Sequence, residues 1–358
     1  MKLALNVLFI FLCFISNITT VLAHDPLPAT VQKVEDIKID DLQSKQWLQL
    51  QTDSDNQTLY IENLLTEHDK KVDYKSGDRV LVQQFETNGP YVITDYFREK
   101  ELKILGVIFL IAVVFVGQLY GLSSIMGMGI SLIIIVKLIL PLIAQGYNPL
   151  LVVVSSLLII TPLIFYLSHG INLKTHLAVI STFITIIATG LLAYLFVNLA
   201  HITGFASEEA SFLDLAKNGA VNIQTLLIAG IVVGALGVLD DVTISQVSIV
   251  NELLKTGKKY TFSELYQSSM NVGRDHVASV VNTLVLVYAG ANLPLLLLFQ
   301  DNSLSVRYII NTEIVAEEIV RTLVGSIGLI LSVPITTYLA CKYLYTTKTT
   351  FHDEKHHH

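Results

Sequence analysis

Asp240 and Asp241, in "GALGVLDDVTISQ" (234–246), and Arg274, Asp275 and His276, in "NVGRDHVASVVNTL" (271–284), are the side chains best placed to do chemistry. The aspartates end an uncharged apolar run that begins at Ile223, and the second group opens another that lasts to Phe299. Carboxylates, a guanidinium and an imidazole at one end of consecutive apolar runs can take up and release a cation or a proton, and imidazole titrates near neutrality. They can equally hold one another as ion pairs. Asp240 and Asp241 do not make an acid dyad, because side chains on adjacent helical residues diverge by about 100° and cannot share a proton. A partner carboxylate would have to be Asp275. The chain carries no HExxH, GxSxG or GxGD stretch, so the usual intramembrane zinc, serine and aspartyl chemistries are not expected and the protein reads as a non-enzyme. Its two cysteines are Cys13, near the N-terminus, and Cys341, in the last apolar run. They offer neither a disulfide framework nor a thiolate metal site. No metal and no cofactor is expected.

These residues need helices to position them. At about 100° per residue, Asp240, Asp241, Ser245, Ser248, Asn251 and Glu252 share a sector of ~140°, opposite Leu239, Val242, Val247, Val250, Leu253 and Leu254. Residues 239–254 therefore form an amphipathic helix, with Thr243 and Gln246 as exceptions on its apolar side. It either continues the preceding run or bends along the cytoplasmic surface. "KTGKK" ends it, and Thr261 with Glu264 fits a capping box for the helix that leads into Arg274. Asp240 and Asp241 then share a membrane face with Arg274 and are expected to pair with it.

Further polar groups lie inside apolar runs, where charge is costly and calls for a partner or a water-filled cavity. Lys137, in "SLIIIVKLILPLIAQG", either lines a path as a counter-charge or snorkels to the nearby outer surface. Asn282 and Asn292 place amides along the run after His276, and Gly290, Asn292 and Pro294 are expected to loosen that helix and free backbone carbonyls. Pro141, Pro162 and Pro334 interrupt three other runs, Gly230, Gly234 and Gly237 suit close helix packing, and Glu318 can pair with Arg321.

The chain has 358 residues, 52% of them apolar and 15% charged, well below the charge content of about 25% usual for soluble domains. The reading is an all-α polytopic membrane domain with a small exported β-rich module before it. "MKLALNVLFIFLCFISNITTVLA" (1–23) has the charged start, apolar centre and small-residue end of a secretory signal peptide. Residues 24–100 contain "QWLQLQT", "TLYIENLL", "DRVLVQQF" and "PYVITDYF", short alternating segments split by polar breaks, as in an antiparallel sheet or barrel of OB-like or SH3-like size. A transmembrane domain follows over 101–347, with seven spans expected at about 104–120, 122–144, 149–167, 177–199, 223–239, 277–299 and 319–344, and a cytoplasmic tail at 348–358. The closing "HDEKHHH" carries no functional argument. Basic residues favour the cytoplasm. Lys174, then Lys255, Lys258, Lys259 and Arg274, then Lys348 place the 168–176 and 240–276 connections and the C-terminus inside. Glu208, Glu209 and Asp214 mark the 200–222 loop as outside. The N-terminus is then outside, as the signal peptide independently requires.

"GALGVLDDVTISQ" and "NVGRDHVASVVNTLVLVYAGANLPLLLLF" resemble the hallmark segments of the YibE/F family of bacterial multispan membrane proteins, and the resemblance covers roughly residues 100–345. It implies a bacterial inner-membrane location and a loosely transporter-like role. Two functions follow. One is an ion- or proton-coupled transporter of an unknown small solute, with Asp240, Asp241, Asp275 and His276 carrying the ion and Arg274 as gating counter-charge. The other is a membrane-anchored scaffold whose exported β module binds a partner, the charge cluster being a structural lock. The expected partners are the lipid bilayer and a small solute or ion, with a homo-oligomer open and no nucleic acid.

Overall fold

The computed structural model describes residues 26–38, 43–66, 74–84, 89–256, 258–300 and 305–354. The expected leader lies outside them. The chain forms two compact units, Met1–Leu122 and Ser123–His358.

In the first unit, β1 (Leu27–Lys38), β2 (Gln43–Thr52), β3 (Thr58–Thr66), β4 (Arg79–Gln84) and β5 (Tyr91–Tyr96) form one antiparallel sheet in the order β3-β2-β1-β4-β5, a half-barrel with β3 and β5 at its edges. The two-residue alternation builds its core. Ala29, Val31, Leu48, Leu50, Leu59, Ile61, Val80 and Val82 point inward and are buried, and Tyr74 packs among them. Cross-strand partners match on that face, Leu48 with Ile61 and Leu50 with Leu59. Burial pushes the Tyr74 phenol up to about 12, helped by Tyr96 and Asp95. The expected antiparallel sheet is present. Its central strand, β1, is missing from the sequence expectation because "LPATVQKVEDIK" mixes Pro28 with irregular polarity and shifts register between Val31 and Lys33.

Among the described residues, six helices are long and apolar enough to cross a bilayer. They belong to α1 (Glu99–Ile134), α2 (Leu140–Ala144), α3 (Pro149–His169), α4 (Leu173–Leu199), α6 (Ile223–Lys255) and α10 (Glu313–Glu354). Gln118, with φ 50° and ψ −130°, breaks α1 and separates the first two apolar stretches. α5 (Glu208–Ala216), α7 (Phe262–Ala291), α8 (Leu293–Gln300) and α9 (Val306–Ile310) complete the second unit. Starts are marked by polar caps that accept from backbone N–H groups: Asn148 for α3, Asn172 for α4, Asn222 for α6 and Thr261 for α7. Thr261 and Glu264 make both halves of the expected capping box, and the Thr261 N–H and hydroxyl hold the Glu264 carboxyl below its ordinary range. Since that depressed group stabilises the fold above its unfolded pKa, the contribution fades as pH falls through the folded one. Thr261→Ala is expected to lower thermal stability by about 1 kcal/mol, read as a shift in melting temperature in detergent.

The apolar run 277–299, expected as a seventh span, is not among the six. It is divided between α7 and α8 at Asn292, where φ is −103° and ψ 18°, because Pro294 has no N–H to offer the Gly290 carbonyl. The other prolines act unequally. α3 runs through Pro162 and α10 through Pro334. Pro141 follows a π-helical turn, Ile135–Ile139, in which the Leu140 N–H donates to the Ile135 carbonyl five residues back. So two of the four expected interruptions occur.

α4, α6 and α10 pack against one another, and α7 lies on α10 and α6. The centre is α6, with 56% of its most apolar stretch buried inside the chain. Lipid tails are as apolar as leucine, so such a bundle is held by close packing and interhelical hydrogen bonds. Of the expected packing glycines, only Gly234 faces a neighbouring helix, its would-be Cβ 3.8 Å from the Tyr288 hydroxyl of α7. A Cβ on Gly230 or Gly237 would meet nothing within 4 Å. The tight contacts fall at Gly328, whose Cβ would strike Thr189, and at Gly273, whose Cβ would lie 2.6 Å from Val333 Cγ1. At the other end of α10, Glu313 Oε1 accepts from the Thr203 N–H and hydroxyl, both at 2.6 Å, and from the Gly204 N–H at 2.9 Å, tying down the turn after α4.

Candidate functional site

α6 continues unbroken past the aspartates to Lys255, so Asp240, Asp241, Thr243 and Gln246 occupy successive directions on one rigid helix. Val242 and Leu239 anchor this segment in the apolar core. The two exceptions on its apolar side make the interhelical bonds. Thr243 Oγ1 lies 2.8 Å from Thr182 Oγ1 of α4. Gln246 Nε2 donates to the Ser269 carbonyl of α7 at 3.0 Å and to Thr337 Oγ1 of α10 at 2.7 Å. Thr337 in turn donates to the Val333 carbonyl at 2.7 Å. Thr182, Thr243, Gln246 and Thr337 are all buried, so a polar layer crosses the bundle and joins four helices. Ser181, Thr185 and Thr189 continue it along α4, each hydroxyl donating to the carbonyl four residues back.

Asp240 borders this layer. Its carbonyl accepts from Thr243 Oγ1 at 3.2 Å, while its buried Oδ1 has no hydrogen-bond partner among the described residues. Asp241 is exposed and lies within Coulombic reach of His169, the last residue of α3. Further along, Lys174 acts on Glu252 in the same way, so the α3–α4 turn faces the C-terminal half of α6. The site is a pair of carboxylates, one enclosed and one open, with a histidine near the open one.

Arg274, Asp275 and His276 do not join it. All three are exposed, and the Arg274 guanidinium donates to Asn271 Oδ1 at 3.2 Å. No ion pair joins Arg274 to Asp240 or Asp241 among the described residues. The reason is rotational. Gly273 is the α7 residue pressed on the bundle, its would-be Cβ 2.9 Å from Gln246 Oε1, and Arg274 is turned from that contact by about 100°. The expected Asp–Arg pair is therefore corrected to two separate groups. Asn282 is exposed on α7 and Lys137 is exposed in the π-helical turn. Asn292 caps α7, donates to the Tyr288 carbonyl at 3.0 Å, and lines an apolar cavity of about 290 Å³ together with Tyr288, Glu318 and Thr322. Beside it, Arg321 bonds Glu317 at 2.6 Å and approaches Glu318 at 3.8 Å, so the expected Glu318 pair is the weaker of two. Among the described residues, no cluster of His, Cys, Asp and Glu has the geometry of a metal site.

Six bilayer-length helices among the described residues define a multi-pass membrane protein. Within that class the chain belongs to the YibE/F-like protein family, whose sequence profile matches residues 105–346. No curated protein and no solved structure matches the chain.

Proposed function

We propose that the second unit moves a small ion or a proton-coupled solute across a bacterial inner membrane, with Asp240 and Asp241 as the charged cytoplasmic gate. The observation that supports this reading is the enclosed Oδ1 of Asp240, without a hydrogen-bond partner among the described residues on a helix long enough to span a membrane. A carboxylate there is expensive, and a cation or proton that visits it offsets that cost. In the same reading residues 277–299 cross the bilayer as a discontinuous seventh span, α7 joined to α8 at Asn292. An odd number of spans would set the two termini on opposite faces, and the basic 240–276 connection favours the inside, which leaves the N-terminus outside. Broken helices of this kind build sites in transporters.

The test is proton and sodium flux into proteoliposomes, driven by a potassium–valinomycin potential and followed with an entrapped pH dye and with labelled sodium. Asp240→Asn is expected to cut flux at least tenfold, and Asp241→Asn to cut it less, with both proteins remaining monodisperse. Equal flux through wild type and Asp240→Asn, or none in either, overturns the assignment.

One observation favours a scaffold as second reading. Tyr60, 71% exposed, and Trp47, 40% exposed, stand on the outer face of β2 and β3, and exposed aromatics suit partner binding. Deleting residues 24–100 separates the two, since retained flux supports transport by the membrane unit alone.

A further inference from the structure

On the side away from the bundle, α7 carries a strip of polar and small exposed residues. Measured from Gly273, the direction pressed on the bundle, Asn271, Asp275, Ala278 and Asn282 all lie within about 40° of the opposite direction. All four are exposed. Their spacing alternates four and three residues, the repeat of a helix that packs along a seam. The hydroxyls nearby are satisfied within α7, Ser279 donating to the Asp275 carbonyl at 3.3 Å and Thr283 to the Ser279 carbonyl at 2.9 Å. Among the described residues, the Asn282 amide has no hydrogen bond, the Asp275 carboxylate no cation, and Arg274 no carboxylate. Of these, Asn282 falls within the apolar run 277–299, where lipid tails offer its amide no partner.

We infer that a second copy of this chain packs against this face of α7, the two helices related by a two-fold axis normal to the membrane. The chemistry is self-complementary, as such an interface requires. Arg274 and Asp275 are adjacent and of opposite sign, so the axis sets the guanidinium of each copy beside the carboxylate of the other at the same depth. An amide both donates and accepts, so Asn282 can pair with Asn282 of the second copy, and Ala278 between them lets the helices approach. The inference goes beyond transport and holds equally for a scaffold.

Full-length Ala278→Cys protein, oxidised in native membranes with copper phenanthroline, tests it. The dimer band on a non-reducing gel is expected to be at least tenfold stronger than for Ile187→Cys, a position 58% exposed on α4. Added Arg274→Asp should cut that band several-fold, and the charge exchange Arg274→Asp/Asp275→Arg should restore it. Equal bands at 278 and 187, a product with a different protein instead of a dimer, or an exchange that fails to restore a folded variant, each overturns the interface.

Discussion

Gly273→Val is expected to release α7 from the bundle, leaving little or no monodisperse protein in detergent, and Gly273→Ala to lower its melting temperature sharply. The alanine Cβ would lie 2.6 Å from Val333 Cγ1 and 2.9 and 3.0 Å from the two polar atoms of the Gln246 amide. Real Cβ contacts do not come so close, so α7 must back away or its neighbours must move. Gln246 has little room to give, because Nε2 is held by Ser269 and Thr337 on two other helices. Overpacking of a tight core costs about 1–3 kcal/mol, here concentrated where three helices meet. Two controls identify the cause. Val333→Ala removes the nearest obstacle and is expected to return part of the loss, with a coupling of about 0.5–3 kcal/mol in the double-mutant cycle. Gly230→Ala, a methyl placed in open space on α6, is expected to leave stability unchanged or raise it slightly, since alanine is the better helix former by about 1 kcal/mol. Identical losses at 230 and 273 would show helix propensity or handling at work and not this contact.

That pair of glycines also shows what could be read before the fold was known. Gly230, Gly234 and Gly237 have the spacing of a packing motif, whereas Gly273 stands alone between Val272 and Arg274. Which glycine is pressed depends on how α7 is rotated, and rotation is decided by neighbouring helices, not by spacing along one. The same limit broke the expected Asp–Arg pair. Sequence placed both groups at one membrane face, but whether they touch turns on the rotation of two helices. Six long apolar helices were legible because apolar length is a local property, while the run 277–299, expected as a seventh, is not among them. The polar layer left a signal that charge-centred reading passes over. Ser181, Thr185 and Thr189 recur every four residues within an apolar run, and Thr243 and Gln246 interrupt an otherwise apolar face. Uncharged hydrogen-bonding groups at helical spacing are the mark of an interior that is polar but not ionic.

Gln246 is the residue on which that interior turns, and replacing it separates glue from path. Gln246→Leu removes the donor that reaches both the Ser269 carbonyl and Thr337 Oγ1. The serine carbonyl belongs to a helix and the threonine hydroxyl still donates to Val333, so neither partner is stripped of every bond. The expected loss is about 1–3 kcal/mol, the cost of leaving buried polar groups underused, measured as a drop in melting temperature in detergent. Gln246→Glu is expected to lose more. A carboxylate offers no hydrogen to either acceptor, and ionised it is a second buried negative charge on the helix that already carries Asp240 and Asp241. Gln246→Leu/Thr337→Val removes donor and acceptor together and is expected to recover most of the loss, because exchanging a whole hydrogen-bonded pair for apolar groups of similar shape is nearly neutral. Flux through that double variant then assigns the layer its role. If Asp240 alone carries the ion, the variant conducts as wild type does, and the polar layer serves to hold α6, α7 and α10 in register around the carboxylate. If flux falls with the fold intact, the amide and hydroxyls are part of the path, and the site extends from Asp240 through Gln246 into the centre of the bundle.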